Sequence, residues 1–477
     1  MSLPASGRSR EEVLAQLHEL RAGDLAARGG RTFAYVYDPA RPDIDELGHE
    51  VYASYLDVNG LDPTVFPSLL AMENEVVDVA RRHLGSTTAV GSFTSGGTES
   101  IILAVKAARD LAKVESPQVV LPVTAHAAFQ KACHYLGLEA VLVDVDPVTF
   151  RAVPSAVEAA ITERTVLLVA SAASYAHGVV DPVEEIAALG LARGIPVHVD
   201  GCIGGWLLPY FRRLGVDVPP FDFAVPGVTS MSVDLHKYAY APKGASVVLY
   251  ADPAMRRKQY YATADWTGYT MINATVQSTK SGGPLAAAWA VLQAVGDDGY
   301  LDLADKTLRA TQRLVEGVAK VEGLRVLGSP EMALVAIASD EVDVFVLCDE
   351  MNARGWYVQP QLGYRALPAS MHLTLTASSD AVVDDLLVDL AVCVEASRGV
   401  VPGDEALLSA VKDLDPDELG DDVLATLLPL AGIEPGDGLP DRMAAINTLL
   451  EAMPMRLRER LLTEFLGLLF TPETDAR

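Results

Sequence analysis

Short apolar runs alternating with helical stretches limit what this chain can fold into more than any other feature. Residues 118–123, 140–145, 166–171, 195–199, 223–233 and 245–250 are Val-rich and read as buried strands. Between them, 127–136, 154–160 and 183–192 carry helical patterns. A strand buried on both faces needs no polar alternation. The succession therefore predicts a mainly parallel sheet with helices on both faces, an α/β fold. In such sheets ligands bind beyond the carboxyl ends of the strands.

Those strand ends carry unusual residues. Met231 to Gly244 forms the turn between the last two runs and includes His236, Lys237 and Lys243. A turn lysine can lose water and attack a carbonyl, although the stretch taken alone is equally an exposed turn. Gly91 to Ser100 includes Gly96-Gly97-Thr98 and precedes a helix over 101–113. Free amides and the helix dipole make that start a phosphate site, or else a plain cap with a flexible lead. It is neither a Walker loop nor a dinucleotide fingerprint. His126 follows one strand, and Asp200 ends another. A phosphate loop, a stacking ring, a carboxylate and a lysine at four strand ends describe a site for pyridoxal 5'-phosphate.

The remaining chain reads as support. Helices are expected over 10–27, 43–55 and 67–83, with a turn-rich loop at 59–66. Residues 262–283 read as a long functional loop, followed by helices over 284–295 and 301–322. Runs at 324–327, 333–338, 342–348, 356–359 and 371–375 read as strands of a smaller second domain, closed by a helix over 381–396. After Gly399, residues 401–477 carry 16 acidic and 6 basic residues and read as helical. The expected division is an N-terminal helix and arm (1–60), a large cofactor domain (61–300), a small α+β domain (301–399) and an acidic helical extension (400–477).

The net charge of -27 argues against nucleic acid and anionic membranes as partners. No transmembrane segment or signal core is expected. Cys133, Cys202, Cys348 and Cys393 show no metal or disulfide spacing, so no metal is expected. These features suit a cytoplasmic protein.

Thr94-Ser95-Gly96-Gly97-Thr98-Glu99-Ser100, His198-Val199-Asp200 with Gly204-Gly205, and Asp234-Leu235-His236-Lys237-Tyr238 with Pro242-Lys243-Gly244 resemble the group II pyridoxal-phosphate decarboxylase family. The pocket residues are most similar to its sphingosine-1-phosphate lyase branch. The resemblance implies fold type I, like aspartate aminotransferase, and a homodimer whose subunits share active sites. It implies that Lys237 bonds the cofactor, His126 stacks on its ring, Asp200 pairs with the ring nitrogen, and Gly97, Thr98 and His236 hold the phosphate. Thr279 matches a residue lent by the other subunit. Tyr37, Asn59, Tyr175 and Lys243 match residues around the substrate phosphate, with Tyr37 and Asn59 expected to act across the dimer. Asp62 stands where the lyase pattern has histidine, and a carboxylate there would repel a phosphate.

Two reactions on a small-molecule amine or amino acid follow. One is retro-aldol cleavage of a phosphorylated amino alcohol, with Tyr175 or Lys243 serving the β-hydroxyl. The other is decarboxylation of an L-amino acid, which Asp62 favours.

Overall fold

The computed structural model of the chain describes residues 3–471 other than 36, 63, 404, 413 and 415–439. Its strands are β1 Val90–Thr94, β2 Gln118–Pro122, β3 Glu139–Val143, β4 Thr165–Ser171, β5 Val197–Asp200, β6 Val228–Asp234, β7 Ser246–Tyr250, β8 Tyr261–Thr263, β9 Met271–Asn273, β10 Leu324–Val326, β11 Leu334–Ser339, β12 Gln359–Gln361 and β13 Ser370–Thr374. The first seven form one sheet in the order β1-β7-β6-β5-β4-β2-β3. Only β7 runs against its neighbours; the other pairings are parallel. Every residue of β2, β4, β5 and β7 is buried, which is why these runs lack alternation.

Register sets the site. Ser171 on β4 lies opposite Asp200 on β5, and Asp200 lies opposite Ser232 on β6. Asp234 on β6 and Thr94 on β1 both pair with Ser246 on β7. The carboxyl ends of β4, β5 and β6 therefore reach one edge together.

The second sheet is antiparallel, in the order β10-β11-β13-β12. The stretch Gly282–Val318 is helical with one interruption, which divides it into two helices as expected. It breaks at Gly296, whose φ of 63° leaves the helical region. The N-terminal arm lies on the second sheet through Thr374 N–H to Phe33 O at 2.8 Å and Phe33 N–H to Tyr357 O at 2.9 Å.

Several expectations need correction. The run 342–348 is not a strand; it begins helix Val344–Ala353. Asp343 decides this, because its side chain accepts the N–H groups of Phe345 and Val346. A short apolar run fits either element by pattern alone. The first helix ends at Leu20, seven residues before the expected 27. Residues 223–227 precede β6 as a turn, and β8 and β9 form a hairpin inside the expected 262–283 loop.

The extension shows helices Glu405–Lys412, Ala444–Ala452 and Met455–Leu469, and its stretch 415–439 lies outside the described residues. Asp349 accepts the N–H groups of Met443 and Ala444 at 2.9 Å each, so it caps helix Ala444–Ala452 and docks it on Val344–Ala353. No helix among the described residues is long and apolar enough to cross a membrane.

Candidate active site

A cavity of about 610 Å³ opens at the strand ends. Gly97, Thr98, His126, Tyr175, Asp200, His236, Lys237, Lys243 and Tyr37 all line it.

The glycine loop enters from β1. Helix Gly97–Ala112 has no side-chain cap at Gly96, so its first N–H groups remain open to a ligand. Gly97 has no room for a side chain: a Cβ there would lie 2.6 Å from Cys202 Sγ and 2.9 Å from Asp234 Oδ2. Ser100 faces away from the cavity side of this turn and pins it instead. Its Oγ lies 2.6 Å from Thr94 Oγ1 and 2.9 Å from Ser246 Oγ, tying the helix start to β1 and β7.

Asp200 is 7% exposed. Its Oδ1 accepts Cys202 N–H at 3.0 Å and Ser232 Oγ–H at 3.2 Å, which leaves Oδ2 for a ligand. The His126 ring is oriented by Ala128 N–H, which donates to Nδ1 at 3.2 Å.

Lys237 does not pair with Asp200. Its Nζ lies 2.9 Å from Asp234 Oδ2. Burial disfavours the ammonium, but facing Asp234 more than offsets this and holds Lys237 above the ordinary lysine range. Burial likewise opposes the Asp234 charge, while Lys237 and His236 keep its carboxyl below the ordinary range. His236 Nδ1 accepts Ala245 N–H, so the other ring nitrogen carries the proton and faces Asp234 Oδ2 at 3.7 Å. Desolvation lowers the pKa of His236. Two buried phenols pin this turn: Tyr238 donates to Leu375 O and Tyr300 to Ala239 O, both at 2.8 Å.

The outer wall comes from elsewhere. Tyr175 stacks on His372 of β13 at 4.5 Å and donates to Gln359 Oε1 of β12 at 2.6 Å. Burial raises the Tyr175 phenol. Lys243 donates to Tyr35 O at 2.9 Å and to His236 O at 3.4 Å, and its ammonium lies 4.7 Å from the Tyr37 ring centre. Partial desolvation and the neighbouring charge of Lys237 bring Lys243 down to about 8. Tyr37 thus stands in the cavity of its own chain, where an action across the dimer had been expected.

Asn59, Asp62 and Thr279 do not reach this cavity. Asn59 and Asp62 line a separate space of about 50 Å³ with Glu73 and Lys280. Asp62 is turned into its own loop, accepting Thr64 N–H at 2.8 Å and Thr64 Oγ1–H at 2.7 Å. Those bonds hold its carboxyl below the ordinary range. Lys280 pairs with Glu73 at 3.0 Å. Thr279 is exposed.

The sequence reading missed Asp234 and Gln359. Asp234 had a signal, because it sits three residues before Lys237 at a strand end. Gln359 had none, since a strand of the other sheet carries it. Among the described residues, no cluster of His, Cys, Asp and Glu could hold a metal ion.

The residues fit pyridoxal 5'-phosphate on independent grounds. The open N–H groups at the helix start suit a phosphate, and Gly97 lets that start pack against Cys202 and Asp234 where a side chain could not. Asp200 keeps one oxygen available, and the buried Ser171 Oγ on the cavity wall lacks a protein partner. The lysine stands in the same cavity.

The model for the pyridoxal-dependent decarboxylase conserved domain matches residues 31–339. A second model, for a C-terminal domain of pyridoxal-dependent enzymes carrying a helix-turn-helix label, matches 405–468. The chain is 37% identical to a sphingosine-1-phosphate lyase of Dictyostelium discoideum, over 82% of this chain and 73% of that one. A solved sphingosine-1-phosphate lyase of Burkholderia pseudomallei shares 34% identity at a TM-score of 0.79, covering 83% of this chain and 93% of its own. A glutamate decarboxylase of Lactobacillus brevis, at 18% identity and a TM-score of 0.74, covers 84% of this chain and 96% of its own, and shares the fold.

Proposed function

The chain belongs to the pyridoxal-dependent decarboxylase family, as a fold type I lyase that uses pyridoxal 5'-phosphate, and from that premise we propose that it cleaves the Cα–Cβ bond of a phosphorylated amino alcohol. Its relatives named sphingosine-1-phosphate lyase support this reading. One observation carries it: Tyr37, Lys243 and Tyr175 stand together in the cavity, with the Lys243 ammonium beside the Tyr37 ring.

When bound, the cofactor supplies a sink for the electron pair released by bond cleavage. Lys237 would be the point of attachment, and the open N–H groups of Gly97 and Thr98, with His236, would hold the cofactor phosphate. Asp200, with Oδ2 available, would keep a proton on the ring nitrogen, and His126 would stack on the ring. The Lys243 ammonium is fixed by two carbonyl oxygens and the Tyr37 ring, with donor capacity left for a substrate phosphate. Tyr175 donates its O–H in a hydrogen bond to Gln359 Oε1, which leaves a lone pair of the phenol oxygen to accept a hydrogen bond from a β-hydroxyl and orient it. Beside Asp234, Lys237 holds a proton that it can return to the carbon left behind.

This reading includes a cytoplasmic homodimer in which Asn59 and Thr279 complete the site of the other subunit. Mass spectrometry of products from purified enzyme tests the reaction. Given a phospho-amino alcohol, it should yield an aldehyde and a phosphorylated amine. Carbon dioxide from an L-amino acid, with no cleavage of the phospho-amino alcohol, would establish the decarboxylase instead.

A further inference from the structure

Glu99 lies in the first turn of the glycine-loop helix and is 8% exposed. Its position predicts a favourable charge at a helix start, yet its contacts go further. Oε2 accepts Ser95 N–H at 2.6 Å and Ser95 Oγ–H at 2.8 Å, one residue before the glycines. Oε1 accepts Val276 N–H at 2.8 Å and Gln277 N–H at 3.3 Å, 177 and 178 residues further along the chain. Both carboxylate oxygens are therefore occupied, one by each segment. The segment on the far side leads directly into Thr279. Thr275 stiffens it by donating Oγ1–H to Gln277 O at 2.9 Å.

We propose that Glu99 is a positioning residue that makes the phosphate-holding loop and the 274–279 segment one mechanical unit, so that phosphate occupancy of the loop orders the segment that presents Thr279. The physical reason is the geometry of a carboxylate. It can bridge two backbone segments only while both are in place, so a ligand that fixes Ser95–Thr98 also fixes the acceptor offered to Val276 and Gln277. Released from either side, Glu99 would keep a buried charge with half its donors missing, which is costly. Ligand binding at the loop and order in the segment thus stabilise each other reciprocally. The inference rests on reading the glycine loop as the cradle of the cofactor phosphate.

Two measurements on apoenzyme separate the inference from that reading. The first is the affinity ratio of pyridoxal 5'-phosphate to pyridoxal. The second is hydrogen exchange of 274–279 with and without the phosphorylated ligand. Wild type should prefer the phosphorylated form strongly and should gain protection at 274–279 on binding it. Glu99→Ala should lower the preference by about tenfold, the equivalent of one charge-assisted hydrogen bond, and should lose the gain in protection. Glu99→Gln keeps the volume but must aim an amide N–H₂ at donors on one side. It should show the same loss in smaller measure and answers the question if the alanine variant does not fold. A wild type with no preference for the phosphorylated form overturns the reading of the loop. A wild type that has the preference, with Glu99 variants that keep both it and the ligand-induced protection, overturns the role of Glu99.

Discussion

Two of the cavities among the described residues are built on different principles. The large one is made where β4, β5 and β6 end, and its residues are aimed by the sheet. A parallel sheet points its strand ends one way, so Asp200 and the Lys237 turn arrive together whatever the loops do. The small one is made by loops that satisfy each other. Gly60 N–H donates to Lys280 O at 2.9 Å, Asn59 Oδ1 accepts Leu61 N–H at 3.1 Å, Asp62 accepts from Thr64, and Lys280 pairs with Glu73. Residues there are spent on holding their own turn. A chemical role for that corner needs a second subunit to bring a site to it, whereas Lys237 and Asp200 stand in the cavity of their own chain.

The largest expected effect tests whether the sheet-built cavity holds the chemistry. Borohydride reduction of the holoenzyme, followed by peptide mapping, should place the pyridoxyl label on Lys237, and Lys237→Ala should lose activity by more than ~10³-fold. Label on Lys243 or Lys280 would move the chemistry to a wall the sheet does not aim. Asp200→Asn should keep the cofactor and lose about 10²–10³-fold in turnover, since the amide cannot hold the proton on the ring nitrogen.

Subunit mixing sharpens the contrast directly. Lys237→Ala exchanged with an inactive Asn59 or Thr279 variant should regain about a quarter of the sites, because one hybrid site per heterodimer is intact in a closed two-fold dimer. Lys237→Ala exchanged with Tyr37→Phe should regain none, because both residues line the cavity of one chain. Equal recovery in the two experiments would erase the distinction between the cavities.

A smaller effect comes from pH. Lys243 titrates at about 8, so its ammonium is present below that pH and lost above it. KM for a phosphorylated substrate should rise by up to about tenfold per pH unit above 8, and Lys243→Arg should remove this limb, since a guanidinium stays charged. A limb that persists in the arginine variant belongs to another group. The smallest effect is at Asp62. Asp62→His should change the preference for phosphorylated over unphosphorylated substrates by less than about threefold, because Asp62 is bonded within its own turn. A larger shift in steady-state specificity would place the small cavity at the substrate after all.

By itself, the sequence determined the parallel sheet, the position of the site and most of its residues. Val-rich runs buried on both faces fit a parallel sheet between helices, and a glycine pair, an aspartate and a lysine together at its strand ends suit a phosphorylated ring cofactor. Three things escaped the apolar pattern, the first two through local side-chain geometry and the third through tertiary packing alone. The run 342–348 became a helix because Asp343 capped it, a choice that apolar pattern cannot express. The partner of Lys237 is Asp234 and not Asp200, because the turn after β6 folds the lysine back over its own strand end. Tyr37 and Gln359 entered the wall because the arm and β12 pack against a turn more than a hundred residues away in the chain. Local pattern reports which groups a backbone can aim; which of them meet depends on long-range packing, and no short window of sequence contains it.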